Sequence, residues 1–252
     1  MRSHTVFVTG ASSGFGAAIV RRFEADGATV LASARRIDRL QELARELAPN
    51  VIALALDVRD RAAVQQAFDD VERDGHEVDV LVNNAGLAKG LDPAQTSELA
   101  DWEEMVDTNC KGLMYCTRAC LPAMVARGRG HVINLGSVAG SYPYPGGNVY
   151  GATKAFVHQF SLNLRSDLNG TGVRVTCIEP GMVAGTEFST VRFGGDRERA
   201  DATYARTTPL QPQDVAECVH WTASLPEHVN VNTIEVMPVD QSFAAFQVHR
   251  EQ

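Results

Sequence analysis

The chain has 252 residues, with 31 Asp and Glu against 23 Lys and Arg, and a formal net charge of −8. With 44% hydrophobic and 21% charged residues it carries enough apolar side chain for a full core, which excludes an intrinsically disordered chain. The acidic balance argues against a nucleic-acid backbone as partner, and no run approaches the roughly 18 apolar residues of a membrane span. Near the N-terminus, Arg2 is followed by only a short apolar stretch and then glycines. That is not the pattern of a secretory signal, so a cytoplasmic protein is expected.

In chain order, β-branched runs at 5–9, 29–33, 51–56, 78–83, 131–135, 173–179 and 233–237 read as strands. Amphipathic segments at 16–26, 37–47, 61–73, 102–127, 149–169 and 213–224 read as helices. The strands are nearly continuous apolar runs, as strands covered on both faces should be. The alternation predicts an α/β fold: a single Rossmann-type, doubly wound parallel sheet with helices on both faces, in one domain spanning 1–252. Residues 142–147 (YPYPGG) predict a rigid turn. The mixed stretch at about 181–204 follows a strand carboxyl end, where the ligand crevice of such sheets lies, and is expected to form a substrate lid.

Five cysteines, Cys110, Cys116, Cys120, Cys177 and Cys218, form no CxxC pair, so reduced and mostly buried thiols are expected. Cys116 and Cys120 stand at i, i+4, which suits a core-facing helix stripe. The seven histidines form no HExxH, and no catalytic metal is expected.

The first predicted strand runs into Gly10-Ala11-Ser12-Ser13-Gly14-Phe15-Gly16, and a helix follows. Gly10 permits a tight turn, Gly14 lets backbone approach a pyrophosphate, and Gly16 lets helix and strand pack closely. Free N–H groups at the helix start then face the anion. Glycines alone would indicate only a turn; the strand before and the helix after make dinucleotide binding the better reading. The second strand ends Ala34-Arg35-Arg36, with no carboxylate before Asp38. An acidic residue there would hold the ribose hydroxyl of NAD, whereas Arg35 and Arg36 suit the 2′-phosphate of NADP. Asp57 and Val58 after the third strand, and Asn83, Asn84, Ala85 and Gly86 after the fourth, are placed to meet adenine and ribose.

Ser137 stands just past the fifth strand, and Tyr150 and Lys154 fall at i, i+4 near the start of a long helix. On one helix face their Cβ atoms lie about 5–6 Å apart. A free phenol titrates near 10 and is a poor base at neutral pH. An ammonium one turn away and a cationic nicotinamide should lower that value, making Tyr150 the acid/base. Ser137 would hold the substrate oxygen.

With Pro180-Gly181, these motifs resemble the full set of the short-chain dehydrogenase/reductase superfamily, in order and over nearly the whole chain. The resemblance implies that Asn109 takes part in a water-mediated proton relay through Lys154. The family's Tyr-x-Ala-Ser-Lys is here Tyr-Gly-Ala-Thr-Lys, which keeps the pair. Segments 146–168, 179–193 and 237–250 resemble the NADP-dependent 3-hydroxy acid dehydrogenases, also described as serine or L-allo-threonine dehydrogenases. That resemblance implies oxidation at C3 of short 3-hydroxy acids, reduction of the matching semialdehydes, and a homotetramer. It also implies cofactor contacts from Pro180, Gly181, Met182, Val183, Thr186, Glu187 and Phe188, beside Tyr150 and Lys154.

A hydroxy acid brings a carboxylate that needs a cation or N–H donors. Arg192 and Lys89 are the candidate cations, and Gly147 and Asn148 are candidate polar contacts near Tyr150. A broad carbonyl or 3-oxoacyl reductase is an alternative, although a thioester carrier would favour a basic surface. A non-catalytic NADP-sensing protein is another, although Asn109, Ser137, Tyr150 and Lys154 are all present. The aromatic tail from Phe243 to Val248 suggests subunit contacts.

Overall fold

The computed structural model describes residues 4–243. Seven strands form one parallel sheet in the order β3-β2-β1-β4-β5-β6-β7. They are β1 (Thr5–Thr9), β2 (Thr29–Ala34), β3 (Val51–Ala55), β4 (Val80–Asn83), β5 (Gly130–Leu135), β6 (Val173–Pro180) and β7 (Thr233–Val236). All seven predicted strands form. Alternation along each strand sends residues to opposite faces. Val6 and Val8 therefore enter the core under α1 (Gly14–Glu24), α2 (Ile37–Glu46) and the late helix at Pro212–Ser224. Phe7, between them, enters the core under α3 (Arg61–Arg73) and the helices that precede and follow β5. Each fully buried Val or Leu here contributes about 1.5–3 kcal/mol of transfer free energy, so a one-residue slip of β1 would be prohibitive.

The predicted helix at 102–127 is three pieces: α4 (Leu99–Val106), a π-helical turn (Asp107–Gly112) and α5 (Leu113–Arg127). The widened turn carries Asn109 inward, where its amide pairs with both backbone groups of Leu87 at 2.9 Å. Hydrophobic periodicity cannot register one inserted residue, which is why the break escaped the sequence. Next comes α6 (Asn148–Asp167). The stretch after β6 holds two short helices, α7 (Phe188–Arg192) and α8 (Arg197–Ala202), before α9 (Pro212–Ser224). A reciprocal Gln211–Asp214 capping box and Pro212 at the first turn fix the start of α9. No helix among the described residues is long and apolar enough to cross a membrane.

The chain winds outward from β1 through β2 to β3, then returns to place β4 on the other side of β1. That reversal opens a crevice at the strand carboxyl ends. Residues 244–252, and with them most of the predicted aromatic tail, lie outside the described residues.

Candidate active site

A cleft of about 510 Å³ lies over the β1–β4 reversal. Its floor is the glycine-rich turn. Gly10 holds φ +66, and a Cβ there would come within 2.9 Å of Ala85 Cα. A Cβ on Gly16 would collide with the Gly10 carbonyl. Gly10 and Gly16 thus let β1, the turn and α1 close on one another, while a Cβ on Gly14 would press on Thr186 at 3.3 Å. Gly10, Ser12, Ser13, Gly14 and Phe15 line the cleft. Ala11 and Gly16 lie outside its lining: Ala11 is fully buried, its N–H donating to the Ser33 carbonyl at 3.0 Å. Ser13, the N-cap of α1, makes no side-chain cap bond, so the first turn of that helix keeps N–H groups for an anion.

Arg35, Arg36, Asp57 and Val58 line one end. Arg36 donates to the hydroxyls of Ser12 (3.2 Å) and Ser13 (2.9 Å) and to a carboxylate oxygen of Glu187 (2.7 Å). Arg39, which the sequence reading passed over, donates to the other Glu187 oxygen at 2.7 Å. It follows Arg36 by three residues on α2, a helix-face spacing that could have drawn attention to it. Asp57 is clasped by Arg59 at 2.6 Å, which holds its carboxyl below the usual range with help from the Arg35 charge. Asn84, Ala85 and Gly86 line the middle. The Asn84 amide is bonded to the carbonyls of Thr9 (2.8 Å) and Gly10 (3.2 Å), so it fixes the turn itself.

At the other end Ser137, Tyr150 and Lys154 come together. Ser137 caps a 3-10 turn, accepting from the Ala139 N–H at 3.1 Å and donating to the Pro180 carbonyl at 3.4 Å. The Lys154 ammonium is buried and donates to the Leu135 carbonyl at 2.7 Å. Burial pulls it down to about 8, against the charges of Cys177, Cys110 and Glu179. Lys154 by itself does not hold the Tyr150 phenol down. Burial pushes the Tyr150 phenol up to about 12, against a hydrogen bond from Ser137 and the nearby Arg192 charge. The ammonium lies 5.9 Å from the ring centroid, too far to overcome desolvation.

Asn109 is buried, and its Nδ2 also donates to Thr153 Oγ1 at 3.0 Å, which in turn donates to the Tyr150 carbonyl at 2.8 Å. The threonine that departs from the family pattern therefore ties the π-turn to the start of α6. From the stretch after β6, Pro180, Gly181, Met182, Val183, Thr186, Glu187 and Phe188 all line the cleft. Gln241, unnoticed in the sequence, accepts the Met182 N–H at 2.6 Å from a segment far along the chain.

Arg192 stands over the rings of Tyr150 (5.1 Å), Phe188 (5.3 Å) and Tyr144 (5.6 Å). It donates to the Tyr144 hydroxyl, while its buried Nε has no hydrogen-bond partner. Tyr144 sits in the proline-locked turn just before α6, and two aromatics in so stiff a turn were the signal missed. Gly147, Asn148 and Lys89 lie outside the cleft lining. Gly147 packs on Tyr144, Asn148 donates to the Asp92 carbonyl at 3.2 Å, and Lys89 pairs with Glu104 at 3.1 Å. Spacing brought Gly147 and Asn148 near Tyr150 along the chain, but the Asn148 amide goes to the loop between β4 and α4, and Lys89 goes to α4.

A parallel sheet with a glycine-rich first crossover and a buried Ser–Tyr–Lys group defines a dinucleotide-dependent dehydrogenase architecture. The family model for short chain dehydrogenase matches residues 4–194, and the chain belongs to that family. Among its relatives, the NADP-dependent 3-hydroxy acid dehydrogenase YdfG of Salmonella typhi is 61% identical over 245 residues, 97% of this chain and 99% of that protein. Sulfoacetaldehyde reductase 2 of Chromohalobacter salexigens is 54% identical over 252 residues, 99% of this chain and 100% of that one. The closed form of a serine dehydrogenase complexed with NADP+ superposes with a TM-score of 0.96 at 58% identity, covering 98% of this chain and 100% of that structure. Serine dehydrogenase from Escherichia coli superposes at 0.85 with 53% identity, over 95% and 100% of the two chains.

Proposed function

We propose that this chain is an NADP-dependent oxidoreductase that oxidises the 3-hydroxyl of short 3-hydroxy acids, including L-serine, L-allo-threonine and 3-hydroxypropionate-like compounds. In reverse it reduces the matching semialdehydes. The names of its relatives support both the cofactor and the substrate class. One observation carries the reading: the guanidinium of Arg192 stands 5.1 Å over the ring of Tyr150, with a buried donor still free. A carboxylate held there sets an adjacent carbinol against the phenol and Ser137.

The cleft fits the cofactor by its own construction. The glycine turn leaves backbone exposed beside the uncapped start of α1, and Arg36 reaches the same turn through Ser12 and Ser13. Arg35 and Arg36 would take the 2′-phosphate, Asp57 and Val58 the adenine edge, and Ala85, Gly86, residues 180–186 and Phe188 the remainder. When bound, the nicotinamide accepts or supplies hydride and, oxidised, adds positive charge beside the phenol. In oxidation Tyr150 takes the hydroxyl proton, Ser137 holds the substrate oxygen, and Lys154 passes the proton on toward the Asn109 turn. Residues 181–204 act as the lid. A homotetramer, as the family resemblance implies, in the cytoplasm, as five cysteines without a CxxC pair favour, completes the reading.

Reduced-cofactor absorbance followed with L-serine, L-allo-threonine and 3-hydroxyisobutyrate, each with NADP+ and NAD+, tests it. Turnover of the acids with NADP+ is expected. Equal turnover of uncharged alcohols would favour a broad carbonyl reductase, and NADP binding without any turnover a sensor. Reduction of sulfoacetaldehyde belongs in the same panel, because Arg192 matches a sulfonate as it does a carboxylate and a relative carries that name.

A further inference from the structure

We infer that Glu187 is an internal competitor for the 2′-phosphate: its carboxylate latches the lid to Arg36 and Arg39, and a 2′-phosphate must displace it from Arg36. The inference rests on the NADP reading above. Arg36 caps the start of α2 and Glu187 the start of α7, 151 residues apart. One Glu187 oxygen lies 2.7 Å from Arg36 Nη2, and the other 2.7 Å from Arg39 Nη1. The carboxylate thus divides itself between two guanidinium groups across the cleft mouth. Arg36, with Ser13 and Arg39, holds that carboxyl down to about 2, so it stays charged wherever the protein is folded at ordinary pH.

A phosphate and a carboxylate sharing one guanidinium repel each other, and Arg36 has already spent donors on Ser12, Ser13 and Glu187. Arg39 lets the exchange proceed without releasing the lid. Once the phosphate claims Arg36, Glu187 keeps its second partner. The same carboxylate therefore tethers residues 181–204 to the start of α2 and sets the stringency toward the 2′-phosphate.

Calorimetric titration with 2′,5′-ADP and with 5′-AMP, neither of which carries a nicotinamide, tests this on the full-length enzyme. Glu187→Gln is expected to bind 2′,5′-ADP about three- to tenfold more tightly at low salt, with a smaller gain at high ionic strength and no change for 5′-AMP. In the absence of nucleotide, tryptic cleavage at Arg197 or Arg199 should be faster in Glu187→Gln, because the lid has lost its tether. Unchanged or weaker 2′,5′-ADP binding, or unchanged cleavage, would overturn the latch while leaving NADP use intact. If the parent enzyme shows no preference for 2′,5′-ADP over 5′-AMP, the NADP assignment fails and the latch falls with it.

Discussion

The two ends of the cleft handle charge in opposite ways. At the Arg36 end, the side chains of Arg36, Arg39 and Glu187 are 43%, 45% and 41% exposed, and each is paired. At the Tyr150 end the groups are buried, and desolvation moves them: the phenol up to about 12, the ammonium down to about 8. Exposed pairs interact through high dielectric and exchange partners readily, which suits a site that must recognise and release a phosphate. Buried groups are fixed by packing and few hydrogen bonds, so the loss of one atom there has no solvent to replace it. Under the proposed function, recognition and chemistry fall in different dielectric regimes of one cleft.

The contrast should show most sharply at Tyr150. Tyr150→Phe is expected to lower kcat by about a thousandfold, within the range for loss of a general acid/base, with NADP affinity nearly unchanged by fluorescence titration. In the parent enzyme oxidation should accelerate with rising pH, because it requires phenolate, while reduction slows. A phenylalanine variant that kept most of its rate would erase the distinction between the two ends.

At the exposed end the effect is smaller and selective. Arg36→Ala should raise the Kd for NADP about 10- to 100-fold, the range for lost hydrogen bonds to a charged group, and leave NAD binding almost alone. Equal losses for both would mean that Arg36 supports the turn through Ser12 and Ser13 and does not read the phosphate. Arg192→Ala belongs between the regimes. It should raise KM for L-serine about tenfold while an uncharged alcohol of similar size is unaffected, the low end of the same range.

The smallest effect concerns stability. Glu187 titrates at about 2 in the folded protein against an ordinary 4.5. The folded value is depressed, so its contribution is complete above 4.5 and is lost as pH falls through 2. Urea unfolding of the parent and Glu187→Gln should differ by at most about 1 kcal/mol at neutral pH, given solvent screening, and converge in acid. A difference that held constant to low pH would deny the ion pair any share.

Much of this was legible in the sequence because its signals are local. Strand periodicity, the Gly10–Gly16 spacing and the i, i+4 relation of Tyr150 and Lys154 need only a few neighbouring residues to act. The π-turn at Asn109 left no trace, since one extra residue in a helical turn falls within the scatter of periodicity. Asn148 and Lys89 lie outside the cleft lining because partners beyond their own motifs hold them, the Asp92 carbonyl and Glu104. Arg39, Tyr144 and Gln241 went unmarked because their partners are remote in sequence.

By itself, the sequence determined the order of the seven strands, the glycine-rich turn and the candidates for the reacting groups. Each follows from backbone preference or side-chain chemistry that acts within a turn or two. Only the tertiary structure decided the electrical state of those groups. Desolvation depends on what covers a side chain, so Tyr150 sits high where Phe188 and Arg192 lie over it, and Lys154 low where it is buried against β5 and β6. It also decided which polar groups meet: Glu187 with Arg36, and His158 Nδ1 with the buried Glu179 carboxylate at 2.6 Å. Such pairs form between segments that only the folded sheet brings within reach.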